Sequence, residues 1–191
     1  MDIGFLLLRL AVGLTVAAHG AQKLFGWFGG PGLDGTGGFF EKLGFVPGRR
    51  HALMAGLAEA GGGLFLALGL VTPFAASAVL AVMLVAAVTV HLKQGFFGTS
   101  GGFEYNLILA SAALSLAFTG PGSLSLDALL GFDQGSALWG GMALLVGLAA
   151  GAIQIAGQRR AASTHVAEAR GGGRSTAAGD PSPEMCRGCS A

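Results

Sequence analysis

Five stretches of this chain are apolar over so many consecutive residues that water is not their natural solvent. A helix needs about 20 mostly apolar residues to cross the hydrocarbon core of a bilayer. The stretches run from Ile3 to about Trp27, from about His51 to Leu70, from Thr72 to about Leu92, from about Glu104 to Phe118, and from Ala137 to Gly157. The fourth is short and needs flanking sequence to span. The fifth has Gln154 as its one strongly polar residue. Only 11% of the residues are charged, against about 25% in an ordinary soluble domain. A soluble fold is therefore excluded, and the expected fold is an all-α membrane bundle. Its 35 glycines suit such a bundle, where small residues let helix backbones approach closely.

The net charge of +1 gives no reason to expect a nucleic-acid partner. The lipid bilayer is the first partner implied. The first stretch is expected to remain as a span and not to be cleaved as a signal peptide, because no Lys or Arg precedes Arg9 and the apolar run is too long. With five spans, the basic loops collect on one side. Lys42, Arg49 and Arg50 lie between spans one and two, Lys93 follows span three, and Arg159, Arg160, Arg170, Arg174 and Arg187 lie in the tail. The opposite loops carry only Asp127 and Asp133. The excess of Lys and Arg in cytoplasmic loops then places the N-terminus outside and the tail inside.

The expected organisation is a four-helix membrane core over residues 1–131, an additional transmembrane helix over 132–157, and a disordered cytoplasmic tail over 158–191. The tail is rich in Gly, Ala, Ser and Arg and lacks the apolar residues to order itself. An internal echo pairs Gly35-Thr36-Gly37-Gly38-Phe39-Phe40-Glu41 with Gly98-Thr99-Ser100-Gly101-Gly102-Phe103-Glu104, and His19 with His91. It is either a duplicated helical hairpin or a coincidence in a chain rich in Gly and Phe.

Ionisable residues within spans are costly and by default suggest function. Arg9, His19 and Lys23 fall within about 80° of one another on a helical wheel, with Gln22 just beyond. Gly56, Glu59 and Gly63 share a face of the second span, so Glu59 points where another helix can approach. His19 and Glu59 each lie about eight residues, or roughly 12 Å, inside the basic boundary. Matched depth predicts a His19–Glu59 contact, either a polar clasp or a functional site. Lys23 and His51 lie near enough to the boundary to snorkel. Arg9 either reaches outward or meets Asp127. Glu104 falls in the first turn of its helix, where the helix dipole favours an anion. His91 completes the set of candidate polar residues, and no metal-ligand cluster is expected.

Two short motifs carry less than their patterns suggest. The glycines of Gly30-Pro31-Gly32-Leu33-Asp34-Gly35 match a dinucleotide fingerprint, but no strand precedes them. The segment from Phe28 to Gly35 reads as a flexible turn at the membrane surface, anchored by Trp27, Phe28, Phe39 and Phe40. Cys186-Arg187-Gly188-Cys189 is a C-x-x-C pair without a helix N-terminus to activate it, and two thiols are too few for a structural zinc site.

A longer ordered series is more specific. It runs His19-Gly20-x-Gln22-Lys23-Leu24-Phe25-Gly26, Gly32-Leu33-x-Gly35-Thr36, Phe39-Phe40, Gly44-Phe45-x-Pro47, Glu59-x-x-Gly62-Gly63, Gly69-Leu70-x-Thr72-Pro73, His91, Gly95-Phe96-Phe97, Glu104-Tyr105, and Gly120-Pro121-Gly122-Ser123-x-Ser125-Leu126-Asp127. Over roughly residues 3 to 131 the chain strongly resembles the DoxX family of small bacterial multi-pass membrane proteins. The family core has four helices, so the fifth is a departure. The resemblance implies a plasma-membrane location and a link to redox physiology. The expected function is an accessory, non-catalytic membrane subunit serving a soluble or membrane oxidoreductase, with quinone as the cofactor to consider. The alternative is a small transporter or permease using the His19/Glu59 polar centre. Composition and spacing themselves show no haem or iron–sulfur ligand set.

Overall fold

A computed structural model describes residues 2–132 and 135–175, with side chains as far as Ala161. Helix α1 spans Asp2–Phe25, α2 Gly32–Lys42, α3 Gly48–Leu68, α4 Thr72–Ala86, α5 Glu104–Thr119, the single turn α6 Leu126–Leu129, and α7 Ala137–Ser175. Among the described residues there is no strand. Four helices are long and apolar enough to cross a membrane: Asp2–Phe25, Gly48–Leu68, Thr72–Gln94 and Ala137–Ala161. At 16 residues, α5 rises only about 24 Å, short of a bilayer core of about 30 Å. The all-α bundle read from the apolar stretches is the observed architecture.

The bundle is held by small residues. Lipid is as apolar as leucine, so helices associate there through close packing. Helix α1 lies on α3 with Gly13, Ala17 and Gly20 facing Gly56, Ala60, Gly63 and Ala67. A Cβ added at Gly20 would fall 2.3 Å from the Ala60 nitrogen, and one at Gly63 would fall 2.4 Å from the Ala17 nitrogen. The second group is α4 with α5 and α7. Val12, Val16, Leu66, Val79, Met83, Leu109 and Leu116 form the core between the groups. Leu7, Leu14, Leu57, Ile108, Leu145 and Ile153 face outward, as expected where the surroundings are lipid.

Helix α3 ends at Gly69 in the left-handed conformation (φ 63°), a helix stop that glycine adopts without a Cβ clash. The chain reverses through Val71, and α4 starts with Pro73 in its first turn, where the missing N–H costs nothing. This hairpin, the start of α1 and the 120–132 loop share one end of the bundle, joined by the Ser123 N–H to Asp2 and the Asp127 N–H to Gly69. The other end holds α2, the 95–103 loop and the later part of α7.

One expectation requires correction. The segment after Phe28 is not a flexible turn throughout. From Gly32 the chain forms α2, which buries Thr36 and Gly37 against the start of α3. The missing Cβ of Gly37 allows that approach: it would sit 3.1 Å from the Arg49 backbone. The sequence echo accordingly covers unlike structures, α2 in one copy and a 3-10 turn at Gly98–Ser100 in the other. Helix α7 runs past Gln158 to Ser175. The Gln158 amide donates to the Leu43 carbonyl, a tertiary tie that a composition argument cannot see. Arg and Ala after Gln158 are also good helix formers. Residues 176–191, including Cys186 and Cys189, lie outside the described residues.

Candidate functional site

Glu59 sits in the middle of α3 and is 3% exposed. Its carboxylate forms an ion pair with Lys23 of α1. The predicted His19–Glu59 contact is thus replaced. Lys23 lies one turn beyond His19 on the same face of α1, and its four-carbon stem lets the ammonium reach inward to the carboxylate. Gly56, one turn from Glu59, keeps the helices close enough for this: a Cβ there would fall 2.6 Å from the Leu24 side chain. His19 turns instead to α5. Its Nε2 lies 3.5 Å from the Tyr105 hydroxyl of α5, with the two rings edge to face.

The ion pair forms part of the wall of a cavity of about 430 Å³. Ala55 and Ala58 of α3, Ala78, Ala81, Val82 and Val85 of α4, Phe40 of α2, Phe45 and Gly151 of α7 supply most of the remaining wall. Small residues leave the space open, and Phe39, Phe40 and Phe45 line it beside α2 and the start of α3. The polar groups reaching it are few: Lys23, Glu59, His51, Thr89, His91 and Gln154. A mostly apolar pocket with a few convergent polar groups is the usual form of a small-molecule site.

The wall includes a break in regular helix. After Ala86 the chain forms a π turn over Ala87–His91. Such turns are rare and frequently accompany functional sites. Here it brings Thr89 and His91 to the cavity. The Thr89 hydroxyl donates to the Val85 carbonyl at 2.7 Å, and His91 Nδ1 lies 2.6 Å from the Gly101 carbonyl. Across the cavity, the Gln154 amide of α7 donates to His51 Nδ1 of α3 at 2.8 Å. Gln154 stands out in the sequence as the strongly polar residue of its apolar stretch, whereas the position of His51 near the membrane boundary gives it no such signal. The π turn left no trace in hydropathy.

The other candidates lie apart. Gln22 reaches toward the Phe28 carbonyl at 3.4 Å. Glu104 accepts the Gly98 N–H at 2.8 Å and so braces its own loop. Arg9 belongs to the opposite end of the bundle and does not snorkel. It is 1% exposed, donates to the Leu124 carbonyl and packs on the bare Cα of Gly69. Asp127 interacts with it electrostatically. The Asp127 carboxylate, fully buried, accepts the Val71 N–H at 2.7 Å, the Thr72 N–H at 3.0 Å and the Thr72 hydroxyl at 2.8 Å. This cluster ties the last loop to the α3–α4 hairpin. Among the described residues no group of His, Cys, Asp and Glu is placed to hold a metal.

Glu59, Gly62 and Gly63 at a helix crossing, the Gly69–Pro73 hairpin and its Asp127 tie are the same residues that make up the ordered sequence series. The DoxX family model matches residues 4–92. "Putative oxidoreductase CatD" of Bacillus subtilis (strain 168) is 33% identical over 126 residues, covering 66% of this chain and 86% of the relative. The chain belongs to the DoxX family. A second DoxX-type relative, "Inner membrane protein YqjF" of Escherichia coli (strain K12), is 33% identical over 129 residues, covering 68% of this chain and 93% of its own length. No solved structure matches.

Proposed function

We propose that this DoxX-family protein is an accessory membrane subunit that presents a quinone-type ring to an oxidoreductase. The observation that carries the reading is the cavity of about 430 Å³, apolar over most of its wall and holding the buried Lys23–Glu59 pair. Its size falls in the range of small-molecule pockets, about 300–1,000 Å³. Its apolar wall suits a ring carried on a lipid tail, and its polar groups can orient ring oxygens. The name of the Bacillus subtilis relative supports a redox connection. The name of the Escherichia coli relative supports placement in the inner membrane. Lys42, Arg49, Arg50, Lys93, Arg159 and Arg160 gather at the end that holds α2, which favours that end as cytoplasmic and the N-terminus as external.

The reading is tested with protein in lipid nanodiscs and a short-tailed benzoquinone as probe, followed by quenching of Trp27 and Trp139 fluorescence. Saturable quenching is expected, and Ala58→Phe, which fills the cavity, abolishes it. Absence of saturable binding, together with no quinone extractable from the purified protein, overturns the reading. Co-purification of an oxidoreductase in mild detergent tests the partner.

The buried ion pair favours a second reading, a small transporter with Lys23 and Glu59 as its binding site, because charge within a span often marks a substrate path. Substrate uptake by reconstituted vesicles that is lost in Glu59→Gln, with the melting temperature unchanged, would favour that reading.

A further inference from the structure

We infer that His91 makes the cavity selective for the reduced, hydroxyl-bearing form of a ring ligand. This inference rests on the quinone reading above. Nδ1 of His91 lies 2.6 Å from the Gly101 carbonyl. A carbonyl oxygen can only accept, so Nδ1 carries the hydrogen. In the neutral imidazole the other nitrogen, Nε2, is then a bare acceptor, its tautomer set by the bond its partner makes. No hydrogen bond to Nε2 exists among the described residues, and His91 is part of the cavity wall. The π turn over Ala87–His91 places the ring there, and the 95–103 loop holds it by the Gly101 carbonyl.

Two of the other polar groups, Lys23 and His51, do not discriminate in the same way. Lys23 is a donor. His51, whose Nδ1 receives the Gln154 amide, has its hydrogen on Nε2 and is also a donor. Donors serve a quinone carbonyl and a quinol hydroxyl oxygen alike, since both accept. Glu59 meets Lys23 through Oε2, Gln154 meets His51 through its amide nitrogen, and the Thr89 hydrogen goes to the Val85 carbonyl, so Glu59 Oε1, Gln154 Oε1 and the Thr89 oxygen keep acceptor capacity. His91 Nε2 is a bare acceptor with no partner among the described residues, on a ring nitrogen that carries no hydrogen of its own. It receives a hydrogen bond from a quinol or phenol hydroxyl, whereas a quinone carbonyl brings a second lone pair against it. The two forms differ by two hydrogens and scarcely in shape, so this contrast isolates hydrogen bonding from fit. One hydrogen bond gained against one acceptor left facing another corresponds to about a tenfold preference.

The test uses the full chain in nanodiscs under anaerobic conditions, titrated with tert-butylhydroquinone and with tert-butylbenzoquinone. The hydroquinone is expected to bind about tenfold more tightly. In His91→Phe that ratio should fall toward one, with hydroquinone bound more weakly and benzoquinone bound no more weakly than in the wild type. Equal affinities in the wild type, or a ratio unchanged in His91→Phe, overturn the inference while leaving the quinone reading intact. If neither ring binds, the quinone reading itself fails and takes this inference with it. Should His91→Phe not fold, the wild-type ratio decides alone. Nitrogen NMR of histidine-labelled protein gives a readout independent of ligand: His91 should show the Nδ1–H tautomer, and an Nε2–H tautomer overturns the inference.

Discussion

Lys23 and Glu59 form an ion pair between α1 and α3, with the carboxylate buried and the lysine side chain 24% exposed. The pair crosses the α1–α3 interface, so each charge depends on the other helix staying in place. Removing one partner leaves an uncompensated charge in a low-dielectric setting, whereas removing both leaves none.

Lys23→Met is therefore expected to destabilise the protein by about 3 kcal/mol, the low end of the range for breaking a buried pair, because Lys23 keeps some exposure. The double variant Lys23→Met/Glu59→Met should recover most of that loss. Thermal melting in detergent checks both. A double-mutant cycle should give strong coupling for Lys23 with Glu59 and near-additivity for His19 with Glu59. Strong coupling of His19 with Glu59 would restore the pairing that matched depth alone predicts.

The α1–α3 contact gives a second expectation. Gly20→Ala puts a methyl group 2.3 Å from the Ala60 nitrogen, so the helices must separate. A cost of about 1–3 kcal/mol follows, together with loss of the Lys23–Glu59 geometry. Gly61, on the same helix as Ala60, has open space at its Cβ position. Gly61→Ala should be neutral or stabilising by up to about 1 kcal/mol, the helix-propensity difference. If both alanines behave alike, packing at Gly20 is not as tight as the geometry says.

The far end of the bundle depends on Asp127. Asp127→Ala leaves two backbone N–H groups and the Thr72 hydroxyl without their acceptor, and Arg9 without its counter-charge. A loss of about 3 kcal/mol or more in detergent melting is expected. Asp127→Asn keeps one carbonyl oxygen and should cost less. Val71, whose N–H this carboxylate holds, is a β-branched residue at φ 43°. Val71→Gly should raise the melting temperature by relieving that strain.

The sequence made the spans legible because membrane helices must be apolar throughout, and each predicted start lies within about three residues of the observed one. Gly56, Glu59 and Gly63 could be placed on one face for the same reason: helical periodicity fixes direction without a structure. Partner choice was not legible. His19 and Lys23 share a face, and only side-chain reach decides which meets Glu59. Helix α2 was hidden by its glycines, which read as a loop until α3 is there to pack against Gly37. The cavity was invisible because it is a space left by alanines, and alanine in a span gives no signal of what it fails to fill.

The proposed orientation can be tested with groups the chain already has. Cys186 and Cys189 are its only thiols, and both follow α7. With the start of α1 outside and the basic end of the bundle inside, they lie in the cytoplasm. A membrane-impermeant maleimide should leave intact spheroplasts unlabelled and should label them once they are permeabilised. A Ser123→Cys variant in a background with both native cysteines changed to serine should show the reverse, since Ser123 sits beside Asp2 at the opposite end. Labelling of the native pair in intact cells, or protection of Cys at 123, would invert the topology and place the basic end of the bundle outside.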